Sequence, residues 1–242
     1  MDHLKRELMH RGASLVGFAR LAGLYSKCDV SLPSTPDSEK EPFEIPEYPS
    51  GVSIAVAIPK EVIRGISSQP TEEYFNAYHE INHKLDALAL FCESYLALRG
   101  YKAYAQITRK TKEFGIFRTI MPHKTVAVNG GLGWIGKSAL LVTPQYGSAV
   151  RLTSVLTDAP LTADPLIGQT KCGGCMICAE ACPGGAIKGR QWREDQPRDW
   201  IFDAMACRKQ ARKIAAEALG KEITLCGKCV EVCPYTQRYI HS

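Results

Sequence analysis

The sequence predicts an α+β fold in two parts: a strand-and-helix domain over residues 1–165 and a small domain over residues 166–242. Three observations carry this. Val52 to Ile58 (VSIAVAI) is a nearly continuous apolar run suited to a buried strand. Glu72 to Leu98 keeps helical spacing for many turns, with Gly100 placed to end it. Beyond about Leu166 the apolar periodicity stops, and cysteine, glycine and proline take over.

Taken in order, residues 2–20 read as helical, with Leu4, Leu8, Leu15 and Val16 apolar and Gly12 interrupting. The Pro-, Ser- and acid-rich stretch Ser31 to Ser50 reads as a long surface loop. After the central strand and long helix, Lys102 to Ile107, Leu140 to Thr143 and Ala149 to Leu156 read as further strands. Ala206 to Leu219 reads as a helix closed by Gly220. Its residues Arg208, Lys209, Arg212 and Lys213 form a basic stretch, a solvated face or a surface for a partner or RNA. The net charge of +5 is mild for 242 residues and excludes nothing. No apolar run is long enough to span a bilayer, and the first twenty residues lack a signal-peptide pattern. The expectation is a cytoplasmic protein with no membrane partner.

Eight of the ten cysteines define the chemistry. Cys172-Gly-Gly-Cys175-Met-Ile-Cys178-Ala-Glu-Ala-Cys182-Pro183 is the C-x2-C-x2-C-x3-C-P run that binds iron–sulfur clusters of the bacterial ferredoxin type. Cys226-Gly-Lys-Cys229-Val-Glu-Val-Cys233-Pro234 repeats its latter half, and Cys207 stands upstream as the missing ligand. Two cubane clusters need eight thiolates, and eight are present. In two-cluster ferredoxins the fourth cysteine of a run binds the other cluster. The expected ligand sets are therefore Cys172, Cys175, Cys178 and Cys233 for one cluster, and Cys182, Cys207, Cys226 and Cys229 for the second. Gly173 and Gly174 let the backbone turn tightly and leave N–H groups for the sulfurs, while Pro183 and Pro234 stop each helical turn. Paired C-x2-C spacings also build zinc ribbons, but the repeated x2-x2-x3 spacing followed by proline favours iron–sulfur. Cys28 and Cys92 fall outside the pattern and read as small buried hydrophobes.

Gly131-Leu-Gly133-Trp134-Ile-Gly136-Lys137-Ser138 fits both G-x-G-x-x-G and the phosphate-loop pattern G-x-x-x-x-G-K-[ST], with Thr125 to Val128 as the strand such a loop requires. The bulky Trp-Ile pair and the lack of a placed acidic partner argue against a nucleotide. The remaining local reading is a tight turn leading into a helix.

Together the segments Pro122–Lys137 (PHKTVAVNGGLGWIGK), Leu140–Ser148 (LLVTPQYGS) and Leu156-Thr-Asp158, followed by the two cysteine blocks, resemble the epoxyqueuosine reductase family. The resemblance covers residues 115–240 well and the first hundred loosely. It implies a nitroreductase-like α/β layer domain followed by a two-[4Fe-4S] ferredoxin-like domain, with a base-off cobalamin between clusters and substrate. It also implies a cytoplasmic oxidoreductase supplied by an electron donor such as ferredoxin or flavodoxin. Gly131, Gly133, Trp134, Gly136, Lys137, Ser138, Tyr146 and Ser148 would line the cobalamin. The family carries a carboxylate before the glycine motif as proton donor. Here Phe117–Lys124 (FRTIMPHK) has none, and His123 stands as the alternative acid or as a hydrogen-bonded structural histidine. The chain also ends eight residues after Pro234, without the family's C-terminal helical repeats, which argues against tRNA as a partner. The competing expectations are a ferredoxin-like electron carrier without catalysis and an ATP-dependent redox activator.

Overall fold

The computed structural model describes residues 2–24, 48–108 and 121–242. The loop expected over Ser31 to Ser50 lies almost wholly outside the described residues, as do Cys28 and Phe117 to Ile120. A four-stranded antiparallel sheet organises the chain: β1 (Leu15–Arg20), β2 (Ser50–Ala57), β3 (Ala103–Ala105) and β6 (Val150–Thr157), in the order β1-β2-β6-β3.

Side chains alternate across a strand, so β2 splits its residues between two layers. Val52, Ile54 and Val56 face one side, where Phe18 and Val155 join them. The long helix α3 (Glu72–Ala97) covers that side with Ile81, Leu85, Leu88 and Leu96, and α1 (Asp2–His10) adds Leu4 and Leu8. Helix α3 starts where the Thr71 hydroxyl accepts the Tyr74 N–H at 3.2 Å, with Glu72 and Glu73 in its first turn. Gly100, at φ +84°, follows its end. Cys92 lies inside this core, and burial pushes its thiol up to about 12. It is an inert hydrophobe, as its spacing suggests.

Ala55 and, beyond it, Gly51 face the opposite layer, covered by α4 (His123–Asn129) through Val126 and Ala127. Helix α4 lies so close that a Cβ on Gly17 would overlap the carbonyl of Gly130, and one on Gly51 would sit 3.0 Å from Val126. Among the described residues no helix is long and apolar enough to cross a membrane.

Two expectations are corrected. Residues 2–20 are not one helix: Gly12, at φ +95°, turns the chain, and Leu15–Arg20 is an edge strand on β2. Its apolar residues follow period two, with Val16 and Phe18 on the α3 side and Leu15 and Ala19 on the other, which a helical template absorbs. Thr125 to Val128 is not a strand but the body of α4, which starts at Pro122, whose missing N–H costs nothing at a helix start.

The C-terminal segment is built from short pieces: α5 (Ile177–Glu180), α6 (Ala204–Leu219), α7 (Lys228–Glu231) and α8 (Pro234–His241). Asp203 caps α6 by accepting the Ala206 N–H, and Gly220 ends it at φ +64°. Pro234 does more than stop a turn: it is the first residue of α8. The segment shares the main core, to which it adds Leu225, Val230 and Ile240. Helix α8 is tied to α2 (Lys60–Arg64): Arg64 donates to the Ile240 carbonyl, and Lys60 donates to the Ser242 carbonyl at 2.7 Å. The connecting strand of chain is fixed by Asp164, which accepts the Phe18 N–H at 2.7 Å and pairs with Lys5. On α6 the basic stretch is partly matched, with Arg212 on Glu222 at 2.7 Å and Lys213 on Glu217 at 4.0 Å.

Candidate metal centre

The eight cysteines fall into two neighbourhoods. Burial raises the Cys178 thiol to about 11, and the next contributions come from Cys172, Cys233 and Cys175. Burial raises Cys207 to about 11, followed by Cys182, Cys226 and Asp203. Cys229 is raised by burial and then chiefly by Cys207, Cys226 and Cys182, with Cys178 last. Cys178 and Cys229 thus feel most strongly the three others expected to share their clusters, and Cys207 feels two of its three. The sets meet at Cys229 and Cys178, so the two groups adjoin.

These thiols are half-buried and crowded, an arrangement that disfavours thiolates unless a cation neutralises them. Iron does so, since a coordinated thiol is held deprotonated. They face shared space rather than one point: among the described residues no three His, Cys, Asp or Glu converge closely enough for a single ion. A cavity of about 220 Å³ is bordered by Cys172, Cys175, Cys178, Cys233 and Cys229. The eight-thiol donor set fits two iron–sulfur cubanes, and the cavity offers volume beside the first four thiols. Local backbone supports this: Gly173 turns at φ +49° with open space where a Cβ would stand, and the Ala186 N–H donates to Cys182 Sγ at 3.3 Å. Gly227, at φ +83°, brings the second loop onto α3, where a Cβ would lie 2.7 Å from the Tyr74 ring.

The glycine motif takes a form that the sequence does not suggest. It is neither a phosphate loop nor a turn into a helix. It follows helix α4 and forms a two-strand hairpin, β4 (Trp134–Ile135) with β5 (Leu141–Val142). A phosphate loop needs a strand before and a helix after it, so the nucleotide readings fail on context. The glycines serve packing. A Cβ on Gly133 would overlap the Val142 carbonyl, one on Gly131 (φ +69°) the Pro165 carbonyl, and one on Gly136 would stand 2.8 Å from Val142 Cγ2. Ala139 turns the hairpin at φ +58°, and its carbonyl accepts from Lys124 Nζ at 2.6 Å, tying the turn to α4.

This hairpin is a wall. One side reaches the sheet layer through Leu132 and Leu141, packed with Ala55 and Ala127. The other side puts Gly136, Lys137, Ser138 and Val142 into the lining of the cysteine cavity. Trp134 is buried edge-on against Tyr235, with ring centroids 4.9 Å apart. Tyr146 meets Tyr239 edge-on at 5.0 Å, and the Ser148 N–H donates to Thr236 Oγ1 at 3.1 Å. Of the eight positions expected to border a cobalamin, Gly136, Lys137 and Ser138 line the thiol cavity and Trp134, Tyr146 and Ser148 pack on α8, whereas Gly131 and Gly133 pack on the backbone of Pro165 and Val142. Lys171, Tyr235 and Arg238 complete the cavity and were not singled out by the sequence. Their signal is adjacency: Lys171 precedes Cys172, and Tyr235 follows the Cys-Pro pair.

His123 is not part of that cavity. It begins α4 and shares a 2.8 Å hydrogen bond between Nδ1 and Ser154 Oγ, which in turn accepts from Gln106 Nε2 at 2.6 Å. Burial, then Arg151, lowers it to about 4, with Lys124 adding and Asp86 opposing. The folded state thus binds fewer protons than the unfolded chain between about pH 6.5 and 4. Stability is complete above this window and falls through it on acidification, by at most about 1.4 kcal/mol per pH unit. His123→Gln should flatten that limb in denaturant titrations; an unchanged limb assigns it to other groups.

Comparison with known proteins agrees with the cysteine geometry. Residues 171–236 match the 4Fe-4S double cluster binding domain. The chain is 38% identical over 117 residues to an epoxyqueuosine reductase of Synechococcus sp. (strain CC9605), covering 48% of this chain and 36% of that protein. It is 30% identical over 164 residues to one from Bacillus subtilis (strain 168), covering 63% and 39%. The match thus spans well under two thirds of either curated relative. Among solved structures, the catabolic reductive dehalogenase NpRdhA superposes with a TM-score of 0.73 at 20% identity, covering 96% of this chain and 31% of that one. A Bacillus subtilis epoxyqueuosine reductase superposes at 0.58 and 22% identity, covering 98% and 65%.

Fold and site together give a mixed α+β chain that carries a double-[4Fe-4S] cluster binding domain over residues 171–236. Within that class the chain is epoxyqueuosine reductase-like in sequence and in fold.

Proposed function

We propose that this chain is a cobalamin-dependent iron–sulfur reductase, with residues 166–242 carrying two [4Fe-4S] clusters and residues 1–165 holding the corrinoid. The observation that carries the reading is the hairpin Gly131–Val142, one wall of which lines the thiol cavity while the other packs on the α4 layer. When bound, the clusters supply one-electron transfer and the cobalamin supplies the reductive chemistry of its cobalt.

The chain's own residues do the rest. Cys172, Cys175, Cys178 and Cys233 hold the first cluster; Cys182, Cys207, Cys226 and Cys229 hold the second. Gly131, Gly133, Trp134, Gly136, Lys137, Ser138, Tyr146 and Ser148 form the junction against which the corrinoid sits. Two buried polar atoms among the described residues lack a partner, Trp134 Nε1 in the hairpin and Ser53 Oγ on the sheet face next to Ser154. They leave hydrogen-bonding capacity on this side, as a site for a polar cofactor requires. His123 is the proposed proton-holding residue, its neutral imidazole oriented by Ser154 and Gln106. Where Ser154 donates on to Nδ1, the ring proton stays on Nε2.

A reductive dehalogenase whose structure suggests a mechanism for B12-dependent dehalogenation also superposes on this chain, with a TM-score of 0.72 at 19% identity. The substrate is left open by every residue described. Anaerobically purified protein incubated with cobalamin should give the absorption spectrum of the base-off form. If the spectrum stays that of free cobalamin under reducing conditions, the corrinoid reading fails and a ferredoxin-like electron carrier stands.

A further inference from the structure

Lys137 is a buried charge without a charged partner among the described residues. Its side chain is only 6% exposed, yet no carboxylate pairs with it among the described residues. Its ammonium reaches one acceptor, the Met176 thioether, at 3.6 Å. Sulfur of that kind is a weak acceptor, and a buried cation left with it alone costs several kcal/mol. Such a residue persists where a negative charge completes the site. Lys137 lines the same cavity as Cys172, Cys175, Cys178 and Cys233, with Cys229 at its edge and with Lys171 and Arg238 as the other cations of the lining. Of the three cations Lys137 is the buried one, and Met176 lies between two of those cysteines in sequence. Four thiolates around a cubane carry net negative charge. The hairpin fixes the lysine there: Gly136 packs on Val142, the Gly136 N–H bonds the Leu140 carbonyl at 2.8 Å, and Ser138 is buried beside it.

We propose that Lys137 is the counter-charge of the first cluster and sets its reduction potential. This rests on the cluster assignment made above. Reduction adds one electron to the cluster, with no bond made or broken and no proton taken up. A fixed cation at the cavity wall stabilises the added negative charge and eases that step. Lys137 acts through the cluster and is a positioning residue. The second cluster, whose thiols are Cys182, Cys207, Cys226 and Cys229, has Lys228 beside Cys226 and meets the Lys137 cavity only through Cys229, so it should be far less affected.

The test is a dithionite potentiometric titration of the reconstituted full chain, read by electron paramagnetic resonance. Cys175→Ser and Cys207→Ser variants assign the two signals. In Lys137→Gln, the reduced-to-oxidised ratio of the first cluster, poised at its wild-type midpoint, should fall about tenfold, which is about 59 mV for one electron. The second cluster should stay within a factor of two, and Lys137→Arg should keep the wild-type midpoint. Lys137→Met, which fills similar space without charge, is read in the same way. A neutral variant that loses only the first cluster's iron also supports the proposal. First-cluster midpoints unchanged in the neutral variants, equal shifts of both clusters, or loss of the second cluster would overturn it. A wild-type chain without eight iron instead defeats the cluster assignment, and the two failures are thereby distinct.

Discussion

Cys229→Ser is expected to reduce the iron content of the anaerobically reconstituted chain from about eight to about four atoms. Cys229 is the most enclosed thiol of its group, with Cys207, Cys226 and Cys182 as its strongest neighbours. Serine offers an oxygen that is a poor ligand for a cubane, so the second cluster loses a corner that no other side chain can supply. The four thiols of the first cluster remain in place. The loss also has a mechanical side. By the proposed ligand set the second cluster would join α6, which carries Cys207, to α7, which carries Cys229, and to the chain at Cys182. Val230, next to the substituted residue, is part of the main core, so α7 should loosen and unfolding should begin there. Iron and acid-labile sulfide analysis checks the count, and protection of the α7 amides from hydrogen exchange checks the loosening. Eight iron in the variant would contradict the ligand assignment.

Gly147→Ala is expected to cost roughly 3 kcal/mol. Two effects add: alanine in the left-handed region, here at φ +57°, costs about 1–2 kcal/mol, and overpacking costs about 1–3 kcal/mol. A Cβ on Gly147 would overlap the backbone nitrogen of Thr236 in α8, which cannot swing aside as a long side chain can. The expected fall in thermal midpoint is roughly 6–12 °C. Gly100→Ala is the control: its φ is +84°, but nothing lies within 4 Å of the added carbon, so only the conformational cost of about 1–2 kcal/mol applies. Equal midpoints for the two variants would show that the α8 contact carries no stability. The substitution has a functional consequence too. Cys233 is the N-cap of α8, so displacing that helix should disturb a proposed ligand of the first cluster.

The cysteine segment was the most legible part of the sequence because its chemistry is local. Three thiolates of a cubane sit within one loop turn of each other, so spacing carries the signal for Cys172, Cys175 and Cys178, whereas the expected share of the distant Cys233 rests on the crossed ligation of two-cluster ferredoxins. Strand β2 and helix α3 were equally plain, since long uninterrupted apolar patterns leave few alternatives. Strand β1 was lost because Leu4, Leu8, Leu15 and Val16 satisfy a helical period by coincidence, and only pairing with β2 reveals the true one. Helix α4 and the hairpin after it were misread for the opposite reason. The glycines of residues 131–136 match a nucleotide motif letter for letter, yet what demands them is close approach to Val142 and Pro165, contacts that no local pattern encodes. Lys137 shows the same limit: its burial and its place beside the cysteines depend on two segments that meet only in the folded chain. Tyr235 and Arg238 became part of the site through α8, whose start at Pro234 had been read as a stop.

The most direct measurement is the elemental composition of the intact chain, reconstituted anaerobically with iron and sulfide and then incubated with cobalamin. The ligand sets and the shared junction predict about eight iron and about eight acid-labile sulfide per chain, with about one cobalt retained after gel filtration. Zinc in place of iron, or about four iron, would contradict the two-cluster centre; eight iron without cobalt would contradict the corrinoid half of the account.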